Sequence, residues 1–377
     1  MKFMKINPYN SIIKKAISFL LFFILLAGCF FYYTFFVEGK LDSHEPAAGF
    51  LYPANIIDHN IYYDNLVKMK EGVFHLNGIN NLGISIIYGV YFHALEIFGY
   101  SGSVEFSALT FNFVVLLGIF LSYIKIIYLL GLKVEMVWLF VFNASLLYFS
   151  QLINKDLLTI LILFKVVEYS IKKENLAIFL IFVVSFLVRF QLPLIMLVYF
   201  LLLYGSNFKR QLFLVYVSLS LLNGFFSRFQ SLFIGRETLS DGFSALVYDV
   251  NVSYGVGSLL LNPVRLAQYF YSLLGSFNFS LEVGVDVSKI KNIPQILILI
   301  FILPYVFKCY FNYNYYMREK IKYVLALIPA FFLVWFFNPT INSRYVMLIV
   351  PMLIIVGLYG RKFNVTKVKL KNESLNN

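Results

Sequence analysis

The sequence predicts an all-α polytopic integral membrane protein, with about ten transmembrane helices and two large outer loops that carry interfacial helices. Three observations lead there. Of the 377 residues, 60% are hydrophobic and only 13% charged, whereas a soluble domain is about 45–50% apolar and about 25% charged. The mean hydropathy is +0.78. The apolar residues are also gathered into runs suited to a hydrocarbon layer ~30 Å thick, and one water-soluble core of this length cannot bury them all.

Taken in order, Lys2, Lys5, Lys14 and Lys15 precede the apolar run Ala16–Val37. That run exceeds a signal-peptide core of roughly 7–15 residues and no small-x-small site directly follows it, so it is a retained first span. Phe106–Leu129 is the second. Val137–Leu152, Leu157–Tyr169, Leu176–Val188, Leu192–Tyr204 and Leu212–Phe226 follow closely, the shorter ones crossing with help from their neighbours. Ile296–Tyr310, Val324–Phe337 and Tyr345–Tyr359 complete the set.

Two more apolar stretches, Leu82–Phe98 and Val264–Phe279, mix polar residues with Tyr and Phe, as helices lying in the membrane interface do. They fall within the outer segments Glu38–Glu105 and Ser227–Pro294, and charge decides their placement. With both kept outside, the inner side holds 20 basic and 5 acidic residues and the outer side 11 and 14, a split of +15 and −3. Letting Leu82–Phe98 cross would put most basic loops outside, against the positive-inside rule. Both termini are then cytoplasmic, in one membrane domain over 1–377 that ends in a basic tail at 360–377.

The same split explains the net charge of +12 as topology, with no nucleic-acid partner required. Cys29 and Cys309 lack partners at metal or redox spacing. The four histidines form no HExxH, and neither GxxxxGK[ST] nor a strand–GxGxxG–helix occurs. No internal repeat of the transporter kind is evident.

The unusual charges face outward. Asp58 and Asp64 sit in a stretch with Tyr62 and Tyr63, six residues or about 1.7 helical turns apart, so they lie on nearly opposite faces and one alone would work as a base. A solvated loop helix anchored by its tyrosines is the plain alternative. Asn154-Lys155-Asp156 forms a short turn between spans, where Lys155 and Asp156 either neutralise each other or present a cation to phosphate. Arg189 separates two apolar runs and Arg344 opens the last one, so each either snorkels to the interface or meets an anion through its planar fork. Arg236 and Arg265 lie in the second large loop, which is expected to be a lid or substrate groove, and Tyr254-Gly-Val-Gly257-Ser is a turn there.

The order of features resembles a known family. One span precedes a loop with Asp58-x-x-x-Tyr62 and a surface helix ending in Phe98-Gly99. A span with an early Asn112, a short Lys155-Asp156 turn, an arginine (Arg189) after the fifth span and Arg344-Tyr345 opening the last complete it. This resembles the bacterial O-antigen and capsular polysaccharide polymerases and, more distantly, the multi-span glycosyltransferases of the GT-C type. The resemblance implies a GT-C-like fold in the bacterial inner membrane and a periplasmic site for oligosaccharide carried on undecaprenyl diphosphate.

The implied chemistry is attack by a hydroxyl of a second lipid-linked unit on the anomeric carbon, with the lipid diphosphate leaving. Arg189, Arg344 and Lys155 are the candidates to stabilise that leaving group, and Asp58 or Asp64 the base; Asp156, Arg236, Arg265 and Tyr345 are secondary candidates. The linkage is already activated, so no cofactor is needed, and the scattered carboxylates call for no metal. Partners are the lipid-linked substrates, membrane lipid and a separate chain-length regulator. Transfer of a single sugar from a polyprenyl phosphate, or flipping of a lipid-linked sugar, are the alternatives.

Overall fold

A computed structural model describes residues 8–39, 53–73, 79–100, 102–205, 207–230, 243–274, 293–336 and 343–362. Among them every regular element is helical. In chain order these are α1 (Pro8–Phe36), α2 (Pro53–Lys70), α3 (Ile79–Ile97), α4 (Val104–Leu129), α5 (Val137–Val141), α6 (Ala144–Phe149), α7 (Asp156–Lys172), α8 (Asn175–Val188) and α9 (Gln191–Tyr204). They continue with α10 (Phe208–Gln230), α11 (Phe243–Tyr254), α12 (Gly257–Leu274), α13 (Ile293–Phe311), α14 (Tyr313–Tyr316), α15 (Lys322–Trp335) and α16 (Ser343–Lys362).

Within the described residues, Ile13–Phe36, Val104–Leu129 and Tyr345–Lys362 are long and apolar enough to cross a membrane. Their surroundings differ. The first keeps a broad apolar surface, with Phe23, Phe31 and Phe35 exposed, as expected where the surrounding solvent is lipid. The last is a central helix, buried along Val346–Tyr359 and packed against α13, α15, α12 and α7.

Parallel α4 and α7 set the frame, late α4 meeting late α7 at Glu168 and early α4 meeting the chain that enters α7. At one end Glu168, buried on α7, receives Lys172 at 2.7 Å, Lys165 at 3.0 Å and Lys125 of α4 at 3.6 Å. These lysines neutralise a buried carboxylate and pin the two helices together. At the other end α7 and α8 stop early. With 17 and 14 residues, they are about 26 and 21 Å long, short of a full crossing. The chain entering α7 meets α4 at Asn112, about 12 Å in from the start of α4, and α8 ends beside α7 at Arg189. Around these ends pack α2 and α3, through His59 and Tyr88, with Trp335 at the end of α15 and Tyr345 at the start of α16.

Three expectations need correction. Val137–Leu152 is not one span: a 3-10 turn at Val134–Met136 leads into α5, the chain breaks at Phe142–Asn143, and α6 ends at Phe149. Asn and Ser compete with the helix for backbone hydrogen bonds, and here Ser150 Oγ donates to Leu147 O at 2.8 Å. Irregular backbone is tolerated here because protein surrounds it; Ser150 to Asn154 are all buried. Leu82–Phe98 is not simply a surface helix. It lies in α3, which packs on α2, α4 and α8 and buries Tyr88 completely while Val90 and Ile97 stay exposed. Val264–Phe279 is likewise no free surface helix: the described part begins earlier, as α12, and is packed against α10, α11 and α16. The Tyr254–Ser258 turn is present, as the α11–α12 junction.

Gly83 sets the depth to which α3 settles on α8. A Cβ there would stand 2.0 Å from Leu187 O. Gly83→Ala would gain about 1 kcal/mol of helix propensity, yet a backbone carbonyl cannot rotate aside as a flexible side chain can. The clash should win, with a net loss of about 1–2 kcal/mol and a lower melting temperature for the detergent-purified protein.

Candidate functional site

The irregular chain between α6 and α7 is held by two asparagines. Asn112 Nδ2 donates to the carbonyls of Ser150 and Leu152, both at 2.9 Å. Its Oδ1 accepts the Tyr88 hydroxyl at 2.6 Å. Asn154 Nδ2 reaches the carbonyls of Phe149, Gln151 and Leu152 at 2.7, 2.9 and 3.1 Å, and its Oδ1 accepts the Asp156 N–H at 3.1 Å. Leu152, between them, has φ +63°, a left-handed conformation that costs a non-glycine residue about 1–3 kcal/mol. The amides stabilise that turn, and the turn aims Asp156.

Asp156 opens α7 and Arg189 ends α8. Each charge thus sits at the helix end whose dipole favours it: an anion at an N-terminus, a cation at a C-terminus. The two helix ends bring them together across 33 positions of sequence, with Arg189 Nη2 2.5 Å from Asp156 Oδ1 and both side chains buried. The guanidinium carbon lies 5.3 Å from the Trp335 ring and 5.9 Å from Tyr345, whose own rings are 4.7 Å apart. Arg189 Nε finds no acceptor among the described residues. Besides adjacent Lys155, for which neutralising Asp156 is one of the two roles the sequence leaves open, Asp156 has Arg189 as an ion-pair partner.

Lys155 turns toward α2 and α3, with Nζ 3.4 Å from Asn81 Oδ1 and 5.6 Å from the Tyr62 ring centre. Ser85 Oγ donates to Tyr62 O at 3.0 Å and ties the two roof helices together. His59 of α2 braces the same turn by accepting the Ile153 N–H at Nδ1, 3.1 Å away. Burial pushes this imidazole down to about 4, so at neutral pH its 4.0 Å approach to Glu105 is no ion pair.

A second buried arginine flanks the end of α15. Arg265 Nη1 donates to Asn262 Oδ1 at 2.9 Å and to the Phe336 carbonyl at 3.0 Å. Asn223 Nδ2 reaches the same carbonyl at 3.2 Å and Ser258 Oγ at 2.8 Å, and Asn251 Nδ2 meets that hydroxyl at 2.7 Å. A cation and an amide thus satisfy a carbonyl that the end of a helix leaves without an internal partner. The expected outer groove residue is a packed structural group. Trp335 and Phe336 consequently stand between two buried arginines. From Phe336 and Asn262 an apolar groove of about 550 Å³ runs between α10, α12, α13 and α15 to Lys209.

No family model, curated protein or solved structure matches this chain.

Of the other sequence candidates, Asp58 and Asp64 both lie on α2, half-buried and exposed respectively; the carboxylate that meets Arg189 is Asp156. Arg344 and Tyr345 open α16, so the backbone places Arg344 beside the residue that packs on Trp335. Arg236 lies outside the described residues. Sequence reasoning missed Trp335 and Tyr88, whose rings are hidden in apolar runs. It noted Asn112 and Asn154 without their role; a polar amide inside or beside an apolar run was the available signal.

Proposed function

We propose that this chain joins saccharide repeat units carried on a polyprenyl diphosphate, as the O-antigen and capsular polysaccharide polymerases do. One observation carries the reading: a buried, aromatic-flanked guanidinium stands against Trp335, next to Phe336, which lines one end of an apolar groove. That pairing suits an amphiphile with an anionic head and a long apolar tail. The tail would lie in the groove and the diphosphate would reach Arg189, whose planar fork matches phosphate oxygens. Fixed donors aimed at the leaving oxygens act where charge develops and need no reorganisation.

The acceptor hydroxyl attacks the anomeric carbon, the bond to the diphosphate oxygen breaks, and the hydroxyl proton passes to a carboxylate. Asp156 is the acid nearest the guanidinium and becomes available as the diphosphate takes its place there; Asp58 and Asp64 on α2 are the other candidates. We place the chain in a bacterial inner membrane with about ten crossings, the third of them broken into α5 and α6, and with both termini cytoplasmic. The gathering of Lys125, Lys165 and Lys172 at the end opposite Arg189 supports that orientation under the positive-inside rule.

Deleting the gene from its host should remove long surface polysaccharide while leaving lipid carriers capped with one repeat unit. A polysaccharide gel checks this, and an unchanged ladder overturns it. Loss of one sugar with chain length preserved would favour a single-sugar transferase. In proteoliposomes, substrate crossing without a new glycosidic bond would favour a transporter.

A further inference from the structure

A cavity of about 560 Å³ opens between α2, α3 and the start of α4. Its chemistry differs from that of the groove. Tyr63, Phe92 and Tyr100 supply aromatic walls, and Ser107 a hydroxyl. At the rim Lys70 Nζ donates to Glu96 Oε1 at 2.7 Å, with both side chains about half exposed. A Cβ on Gly102 would meet the Tyr100 hydroxyl at 2.0 Å, so the tyrosine ring lies against bare main chain at this wall of the cavity.

The volume falls within the range of small-molecule sites, about 300–1,000 Å³, and so does the pattern of apolar walls with a few convergent polar groups. Aromatic faces beside a cation and a carboxylate suit a ligand that is apolar on one face and rich in hydroxyls at its edge. A pyranose has that form: its C–H face packs on a ring, and its hydroxyls donate to a carboxylate and accept from an ammonium. Neither a lipid tail nor a free anion uses both halves of this lining. Consecutive residues of α2 serve both places: Tyr63 lines the cavity, and the Tyr62 ring centre lies 5.6 Å from Lys155 Nζ.

We propose that this cavity binds a saccharide and that its occupant is the acceptor glycan. The saccharide assignment stands on the cavity itself; the acceptor role rests on the function proposed above. The test uses the full-length protein in nanodiscs and short, lipid-free oligosaccharides made by mild acid hydrolysis of the host's own surface polysaccharide. Binding is followed by saturation-transfer NMR.

The wild-type protein should bind. Tyr63→Ala should weaken binding about tenfold, Tyr63→Phe should keep it, and Lys68→Gln, an exposed change on the same helix, should be silent. Val67→Trp fills the cavity without deleting a contact and should abolish binding, with a thermal melt confirming that the variant is folded. Failure of the wild type to bind, or wild-type affinity in Val67→Trp, overturns the assignment and leaves the proposed function untouched. Polymer made normally by Arg189→Lys cells would overturn that function while glycan binding to the cavity persisted.

Discussion

Arg189→Met should lower stability by about 3–5 kcal/mol, because it leaves the Asp156 carboxylate buried without its ion-pair partner. Replacing both partners, Arg189→Met with Asp156→Leu, should recover most of that loss, since a buried ion pair is often no more stable than apolar side chains of similar volume. Polymer formation separates the roles. If the pair were only a clamp between α7 and α8, the double variant would regain long polysaccharide along with its melting temperature. The proposed function requires the opposite: a folded protein that makes none. Arg189→Lys makes the same distinction with one change. It keeps the charge but loses the fork and the planar face that stands over Trp335 and Tyr345. Melting near the wild-type temperature together with absent polymer is the expected result, and a normal polysaccharide ladder from either variant would refute a functional arginine.

Arg189 was legible in the sequence for a simple reason: a guanidinium between two apolar runs must find water, a partner or a ligand. Its partner was not. Asp156 stands next to Lys155, and sequence proximity made the lysine its natural neutraliser, whereas the helix ends bring in an arginine 33 positions away. The helical class follows from composition, and the positions of α1, α4 and α16 follow from unbroken apolar runs. The break between α5 and α6 does not. Hydropathy averages over Asn143, Ser150 and Gln151, and whether such side chains point to a neighbour or bond their own backbone depends on tertiary contacts. Arg265 shows the converse case. Within a long segment rich in charge it had the signature of a surface residue, but the acceptor that buries it, the Phe336 carbonyl, lies 71 positions on. Trp335 carries no signal in a run of Phe, Leu and Val; only the folded chain sets its ring against a cation.

Asn154→Ala is expected to damage the site about as much as loss of the ion pair, although it removes no charge. One carboxamide serves three carbonyls and caps the Asp156 N–H. These groups are buried, and each one left unsatisfied costs about 1–3 kcal/mol, partly relieved where Asn112 still reaches Leu152 O. A net loss of about 3 kcal/mol follows. The positive φ at Leu152 should relax with it, so the first turn of α7 should shift and draw Asp156 away from Arg189. Asn154→Asp tests the cause. It retains an oxygen for the Asp156 N–H but supplies no donor to the three carbonyls, so it should fare no better than alanine. Tyr88→Phe deletes one hydroxyl from the same network and should cost only about 1 kcal/mol. The order of melting temperatures is the measurement: Tyr88→Phe near the wild type, Asn154→Ala and Asn154→Asp together well below it. Were Asn154→Asp to match the wild type, the cap on α7 alone would suffice, and the amide's hold on the strained turn would have no part in placing Asp156.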